Sequence, residues 1–185
     1  MRIDWVHPTW RDLMIDRLAG DARLRRRFVS RCGLHGLLLA LSVGGGALGE
    51  RRLPLVVTDA EWDVLGDRIY ELIPQLHSAE LGALLTAIEI AVCELGPDGT
   101  GREARALART ALIRVAKPWH DRPAPISLEL LDAWLSLSSR LSPPLPAPPL
   151  DATWAQLLPA AVPALDDSAE LARFADWAAL CEMLW

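Results

Sequence analysis

Apolar residues recur every three or four positions along most of the chain, which is the spacing of one face of an amphipathic helix. The clearest case begins at Thr58 and Glu61, whose spacing fits a capping box. A second follows Ser78, the predicted cap of the next helix. The apolar stripes of these two helices are Trp62, Leu65, Ile69, Leu72, Ile73 and Leu76, and then Leu81, Leu84, Leu85, Ile88, Val92 and Leu95.

Weaker stripes predict further helices on both sides of this pair. They cover about residues 9–19, 21–31, 34–42, 102–117, 127–141, a short stretch from 151, and 168–185. Pro118 is expected to stop one of them, because proline breaks the hydrogen bonding of a helix interior. Short connections between amphipathic helices favour antiparallel neighbours.

We therefore predict an all-α fold of eight or nine helices in antiparallel hairpins. Asp and Trp recur near several predicted helix starts, as in Asp59-Ala-Glu-Trp62 and Asp151-Ala-Thr-Trp154. An irregular helical-repeat arrangement is the alternative within this fold class.

A proline-rich stretch divides the chain near its end. Five of the seven residues from Pro143 to Pro149 are proline, which is typical of an extended polyproline-like spacer. We predict a helical domain at 1–142, a linker at 143–150 and a C-terminal helical pair at 151–185. The first domain divides into arginine-rich N-terminal helices at 1–49 and an amphipathic helical core at 50–142.

Charge is unevenly distributed along the chain. The formal net charge is −5, but residues 1–52 carry ten arginines and five acids, whereas 53–185 carry nine basic residues and nineteen acids. Such an asymmetry can attract an acidic partner to one end, or it can draw the two halves of the chain together. Both interpretations stay open here.

The three cysteines indicate a reducing compartment. Cys32, Cys93 and Cys181 are far apart and odd in number, so they predict neither a disulfide framework nor a zinc site. The first twenty residues lack the apolar core of a signal peptide, and the longest apolar run, at 37–48, is too short to span a bilayer. We expect a cytoplasmic protein with no metal, no cofactor and no membrane segment.

The sequence contains no recognised catalytic signature. The glycines at 44–49 lack the Lys and Ser/Thr of a phosphate loop, and no G-x-S-x-G or H-E-x-x-H motif occurs. Two weaker pairings are the candidates for a small enzyme: Cys32 with His35, and His120 with Asp121 in a predicted loop anchored by Trp119. Since neither comes with an orienting third group, we expect no enzymatic activity.

An arginine cluster lies in the second predicted helix. It comprises Arg23, Arg25, Arg26, Arg27 and Arg31. Two short helices joined by a Gly-Asp turn, the second one basic, loosely resemble a helix-turn-helix, and clustered positive charge attracts phosphates. Helical spacing nevertheless distributes the arginines around the helix, since Arg23 and Arg27 project differently from Arg25, and Asp12, Asp16 and Asp21 are close enough in sequence to pair with them. Nucleic-acid binding by residues 9–31 is therefore the alternative function.

A short motif near the N-terminus resembles a known family. The segment Trp5-Val6-His7-Pro8-Thr9-Trp10-Arg11-Asp12-Leu13 is similar to a motif in the winged-helix region of STAND-type, NACHT-like P-loop NTPases. In that family the region follows the ATPase core, and its histidine senses bound nucleotide. The resemblance implies that His7 is a nucleotide-sensing residue and that residues 13–185 form a helical arm or sensor. It also implies that the ATPase core, which this sequence lacks, is supplied separately.

These observations favour a non-catalytic helical module for regulation or protein interaction. The expected partner is a protein, either the missing ATPase core or another chain. Nucleic acid is the alternative partner.

Overall fold

The computed structural model describes residues 17–18, 20–42, 56–96, 99–121, 126–146 and 148. Within these residues the regular structure is helical and contains no β-strand, which confirms the all-α class for this part of the chain. Six α-helices lie wholly within them, so the predicted total of eight or nine stays a prediction. The helices are α1 (Ala22–Val29), α2 (Leu34–Leu41), α3 (Asp59–Leu72), α4 (Ser78–Leu95), α5 (Thr100–Asp121) and α6 (Leu128–Ser139), with a 3₁₀ turn at Ile73–Gln75.

Several helix starts follow directly from local sequence chemistry. The Asp21 carboxylate caps α1 by accepting hydrogen bonds from the backbone N–H groups of Arg23 (2.9 Å) and Leu24 (3.1 Å). Ser127 caps α6 in the same way. At α4 the predicted cap is shifted by one residue: His77 is the cap, Ser78 is the first helical residue, and the Glu80 carboxylate accepts from the His77 N–H at 2.9 Å.

Helix α4 occupies the centre of the described core. It packs against α5 and α6 and also contacts α2, while α3 packs mainly against α5 and α1. Among consecutive described helices only α4 and α5 pack extensively against each other, so the predicted series of hairpins is wrong at the other steps, most clearly between α3 and α4. The 3₁₀ turn between them redirects the chain, so that the apolar stripe of α3 meets α5 instead.

The predicted stop at Pro118 is also wrong. Helix α5 continues through this proline to Asp121. A proline inside a helix costs about 3 kcal/mol or more, so a compensating interaction is needed. Trp119 supplies it: the side chain is buried, and its ring meets that of Trp134 edge to face, with ring centres 6.4 Å apart. Aromatic burial of this kind stabilises the extra turn.

The start of the proline-rich stretch is attached to the helical body. Leu145 packs against the core, and its backbone N–H donates to the buried Ser138 hydroxyl at 3.0 Å. The Arg109 guanidinium also donates to the Pro143 carbonyl at 2.7 Å. The linker predicted at 143–150 therefore begins as part of the domain surface. The C-terminal pair predicted at 151–185 lies outside the described residues.

Candidate interaction surface

Helix α1 is held in place by an ion pair that has almost no contact with solvent. The Arg25 Nε donates to Glu61 Oε1 at 2.9 Å, and the two residues are only 8% and 1% exposed. The other carboxylate oxygen of Glu61 accepts from the backbone N–H groups of Val57 (2.9 Å) and Thr58 (3.1 Å). Glu61 thus completes the predicted capping of α3 and fixes α1 against that helix.

The pKa of the Glu61 carboxyl reflects two opposing effects. Burial raises the pKa, because it disfavours the charged form. The hydrogen bonds from Val57, Thr58 and Arg25, together with the Arg25 charge, lower it further than burial raises it. The net pKa therefore lies below the ordinary value of 4.5, and the carboxylate remains ionised at neutral pH.

The Arg25–Glu61 pair changes which arginines belong to the predicted basic patch. Arg25 was expected in the patch with its four neighbours, but its side chain points inward and shares the buried face of α1 with Val29. The charge therefore does not surround the helix, as the sequence suggested. A buried arginine paired to a carboxylate is a structural group, so Arg25 is not part of the candidate surface.

The remaining arginines of α1 form one exposed stripe. Arg23, Arg26 and Arg27 are exposed and share a helix face, because they are spaced at i, i+3 and i+4. We call these three residues the arginine face. None of them forms an ion pair with a carboxylate within the described residues. Arg17 and Arg31, which are also exposed, extend the positive charge at the two ends of the helix.

One acidic group lies at the edge of the arginine face. Asp21 caps α1, and the hydrogen bond from the Leu24 N–H is the largest cause of its lowered pKa. The positive charges of Arg17 and Arg23 lower this pKa as well. Asp21 thus offsets some charge at the N-terminal end of α1, while Arg26 and Arg27 lie in the last turn, away from it.

Within the described residues, the Cys32 thiol of the first candidate catalytic pairing has a backbone carbonyl as its hydrogen-bond acceptor. The Cys32 thiol is half-buried and donates to the Val29 carbonyl at 3.4 Å, and burial raises its pKa, which disfavours the reactive thiolate. His35 is exposed on α2. A Cβ at Gly36 would collide with the Cys32 side chain and lie 3.2 Å from the Phe28 ring of α1, so the pattern of Cys32, His35 and Gly36 reflects close packing against α1.

His120 and Asp121, the second candidate pairing, lie side by side at the C-terminal end of α5. Both are exposed at the end of α5, and the loop predicted for them is in fact the last helical turn. Within the described ranges, no three His, Cys, Asp or Glu side chains come together in a way that could hold a metal ion. His7, the nucleotide-sensing candidate, lies outside the described residues.

A shallow groove between α3 and α5 was not expected from the sequence. Tyr70 is 47% exposed at its edge, and the Arg114 guanidinium carbon lies 4.2 Å from the centre of the tyrosine ring. The enclosed volume of the groove is about 10 Å³, roughly the room that one water molecule needs, so it offers a surface contact and not an enclosed site.

Comparisons with protein-family models, with curated proteins and with solved structures found no match to this chain. None of the helices in the described part combines the length and apolar character needed to cross a membrane. The case for function therefore depends on the residues themselves.

Proposed function

We propose that this chain is a non-catalytic helical interaction module that binds the acidic surface of a protein partner through the arginine face. The observation that carries the proposal is the exposure of Arg23, Arg26 and Arg27 on one face of a helix. The Arg25–Glu61 pair holds this helix against α3. A preformed row of guanidinium groups suits partner carboxylates, because each guanidinium group can donate two parallel hydrogen bonds to one carboxylate.

The overall charge favours a protein over a nucleic acid as the partner. The chain has a net charge of −5, so a partner that is negative along its whole length, such as a polyphosphate backbone, is repelled at long range more than a protein with one local acidic patch. The arginine face is also short, with three exposed arginines on an eight-residue helix. A local acidic patch on a protein fits these dimensions, because it needs only a few carboxylates.

Nucleic-acid binding remains the second candidate, and the same arginine face favours it. If three arginines contact duplex phosphates, the logarithm of the affinity should fall with the logarithm of salt concentration with a slope of about −2.7. The salt dependence thus measures how many phosphates are contacted.

A binding experiment with two probes tests both candidates. The probes are a fluorescent polyglutamate peptide and a fluorescent 20-base-pair DNA duplex (about two helical turns), followed by anisotropy at low salt. We expect the full chain to bind the peptide more tightly than the duplex. The double variant R23E/R27E should weaken peptide binding about tenfold, because it replaces two charge-assisted contacts by repulsion.

The matched control is R102E/K117E, which makes the same change in net charge at two exposed positions on α5. Its peptide affinity should stay close to that of the parent chain. Equal losses in the two double variants would mean that only net charge matters and would contradict a specific face. Tighter binding of the duplex, lost in R23E/R27E, would select the second candidate.

We further propose that the module belongs to a STAND-like signalling or defence ATPase, as its C-terminal portion. The support is the resemblance of the segment from Trp5 to Leu13, in which His7 is the candidate nucleotide-sensing residue. Under this proposal the ATPase core is one protein partner of the module. The phosphate-binding loop would then be contributed by that core.

A nucleotide-binding measurement on this chain alone tests whether a separate ATPase core is needed to bind nucleotide. We expect titration calorimetry with ADP to show no measurable binding, because His7 on its own offers a single contact to a phosphate. The His7→Ala variant should give the same trace. Micromolar ADP binding that disappears in His7→Ala would contradict the need for a separate core.

A further inference from the structure

The arginine face leaves three positive charges exposed in the described part of the chain, and the sequence contains a segment of opposite charge. Residues 151–185 carry six carboxylates and one arginine, for a net charge of −5. The two other long stretches outside the described residues, 1–16 and 43–55, have net charges of only −1 and +1. We call residues 151–185 the acidic segment.

We propose that, when no partner is bound, the acidic segment covers the arginine face of its own chain and competes with the partner. This inference rests on the proposed function, since it assigns an internal competitor to the same face. The segment is the occupant with the strongest charge complementarity that the chain itself provides. Partner binding would then require displacement of the segment, which makes the interaction conditional.

The order of charges in the acidic segment matches the arginine face. Its densest acidic cluster is Asp166, Asp167 and Glu170, with spacings of one and three residues. The arginines are spaced by three and one. The proposed alignment is antiparallel, so that Glu170 would lie opposite Arg23, Asp167 opposite Arg26 and Asp166 opposite Arg27. Opposite charges in register attract, whereas a shift in register would leave charges unmatched.

The connection is long enough for this contact within one molecule. Asp166 follows Pro148, the last described residue, by 18 residues. An extended chain of that length reaches about 60 Å. A domain of this size has a radius of gyration of about 15 Å, so the acidic cluster can reach any face of the helical body.

Hydrogen exchange measured by mass spectrometry on the full chain tests the inference. We expect amides of 160–180 to exchange about fivefold faster in R23E/R27E than in the parent chain, because two ion pairs are replaced by repulsion. The charge-swapped variant R23E/R27E/D166R/E170R should restore slow exchange, since the two pairs are re-formed with reversed signs. The control R102E/K117E should behave like the parent.

The neutralising variant D166N/E170Q leaves α1 unchanged, so it tests the contact without risk to that helix. It should also accelerate exchange in the acidic segment, and it should bind the polyglutamate peptide more tightly than the parent does. Unchanged exchange in both R23E/R27E and D166N/E170Q would overturn the inference. So would protection that rises with protein concentration, because the acidic segment would then come from a second copy.

The two proposals can fail separately. Exchange in the acidic segment reports on the internal contact, whereas peptide binding reports on the proposed function. If exchange responds to the charge swap but no variant binds the peptide, the internal contact stands and the proposed function fails. If R23E/R27E loses peptide binding while exchange is unchanged in every variant, the arginine face binds acidic partners without an internal competitor.

Discussion

Replacing Glu61 with alanine should lower the free energy of unfolding by about 3 kcal/mol or more, because the substitution breaks a buried ion pair by removing one partner. Arg25 would lose the carboxylate to which its Nε donates. The backbone N–H groups of Val57 and Thr58 would lose their acceptor at the start of α3, which adds the cost of a lost cap. Urea unfolding followed by circular dichroism measures the change.

The matched control is Glu71→Ala in the same helix. Glu71 is also paired with an arginine, Arg68, at 2.9 Å, but its side chain is 63% exposed. Exposed pairs contribute little, so this variant should change stability by less than about 1 kcal/mol. If Glu61→Ala and Glu71→Ala had similar effects, the buried pair would not be what secures α1 to α3.

The stability that Glu61 contributes should also depend on pH in a defined direction. Its pKa is lower in the folded chain than the ordinary 4.5, so the folded state favours the charged carboxylate. The contribution is therefore fully present above about pH 4.5 and is lost as the pH falls through the lower, folded-state pKa. The difference in unfolding free energy between the parent and Glu61→Ala should shrink over that acidic range.

This pair also connects the fold to the proposed function. The arginine face lies on a helix of only eight residues, Ala22–Val29, and a helix this short is not stable alone in water. Its orientation depends on tertiary contacts, among them the buried Arg25–Glu61 pair. We therefore expect Glu61→Ala to weaken binding at the arginine face as well, although Glu61 itself cannot touch a partner.

Local chemistry explains which parts of the fold could be predicted from the sequence. The capping groups at Thr58 and Glu61 lie close to the backbone groups that they stabilise, so a short window of sequence was sufficient. The packing partner of α3 could not be predicted in this way, because it depends on residues some forty positions further along the chain. The continuation of α5 past Pro118 could not be predicted for the same reason, since Trp134, which makes the compensating contact, is distant in sequence.

The candidate surface, too, could be predicted from the sequence only in part. The arginine cluster was visible as composition, but whether its members point inward or outward depends on what packs against α1. Arg25, unlike Arg26, faces Glu61, which lies 36 residues away and had been assigned solely to a capping box. Once the buried arginine is excluded, the exposed ones form a single face, and this arrangement is what supports an interaction role.

Replacing Trp134 with alanine should have a comparable or larger effect on stability, about 3–5 kcal/mol. Trp134 is 1% exposed in α6, and its indole N–H donates to the Leu112 carbonyl of α5 at 3.1 Å. Its ring also contacts Trp119, so the substitution would remove the interaction that offsets Pro118. The loss should therefore include fraying of the last turn of α5, visible as faster hydrogen exchange at 117–121.

Tyr70→Ala is the matched control, since it also removes an aromatic ring. Tyr70 is 47% exposed and contacts Arg114 through a cation–π interaction, which contributes about 0.5–1 kcal/mol at an exposed site. A loss well below that of Trp134→Ala is expected, with no change in exchange at 117–121. If Trp134→Ala left that turn protected, the edge-to-face contact would not be what extends α5 beyond its proline, and the extra turn would need another source of stability within the core.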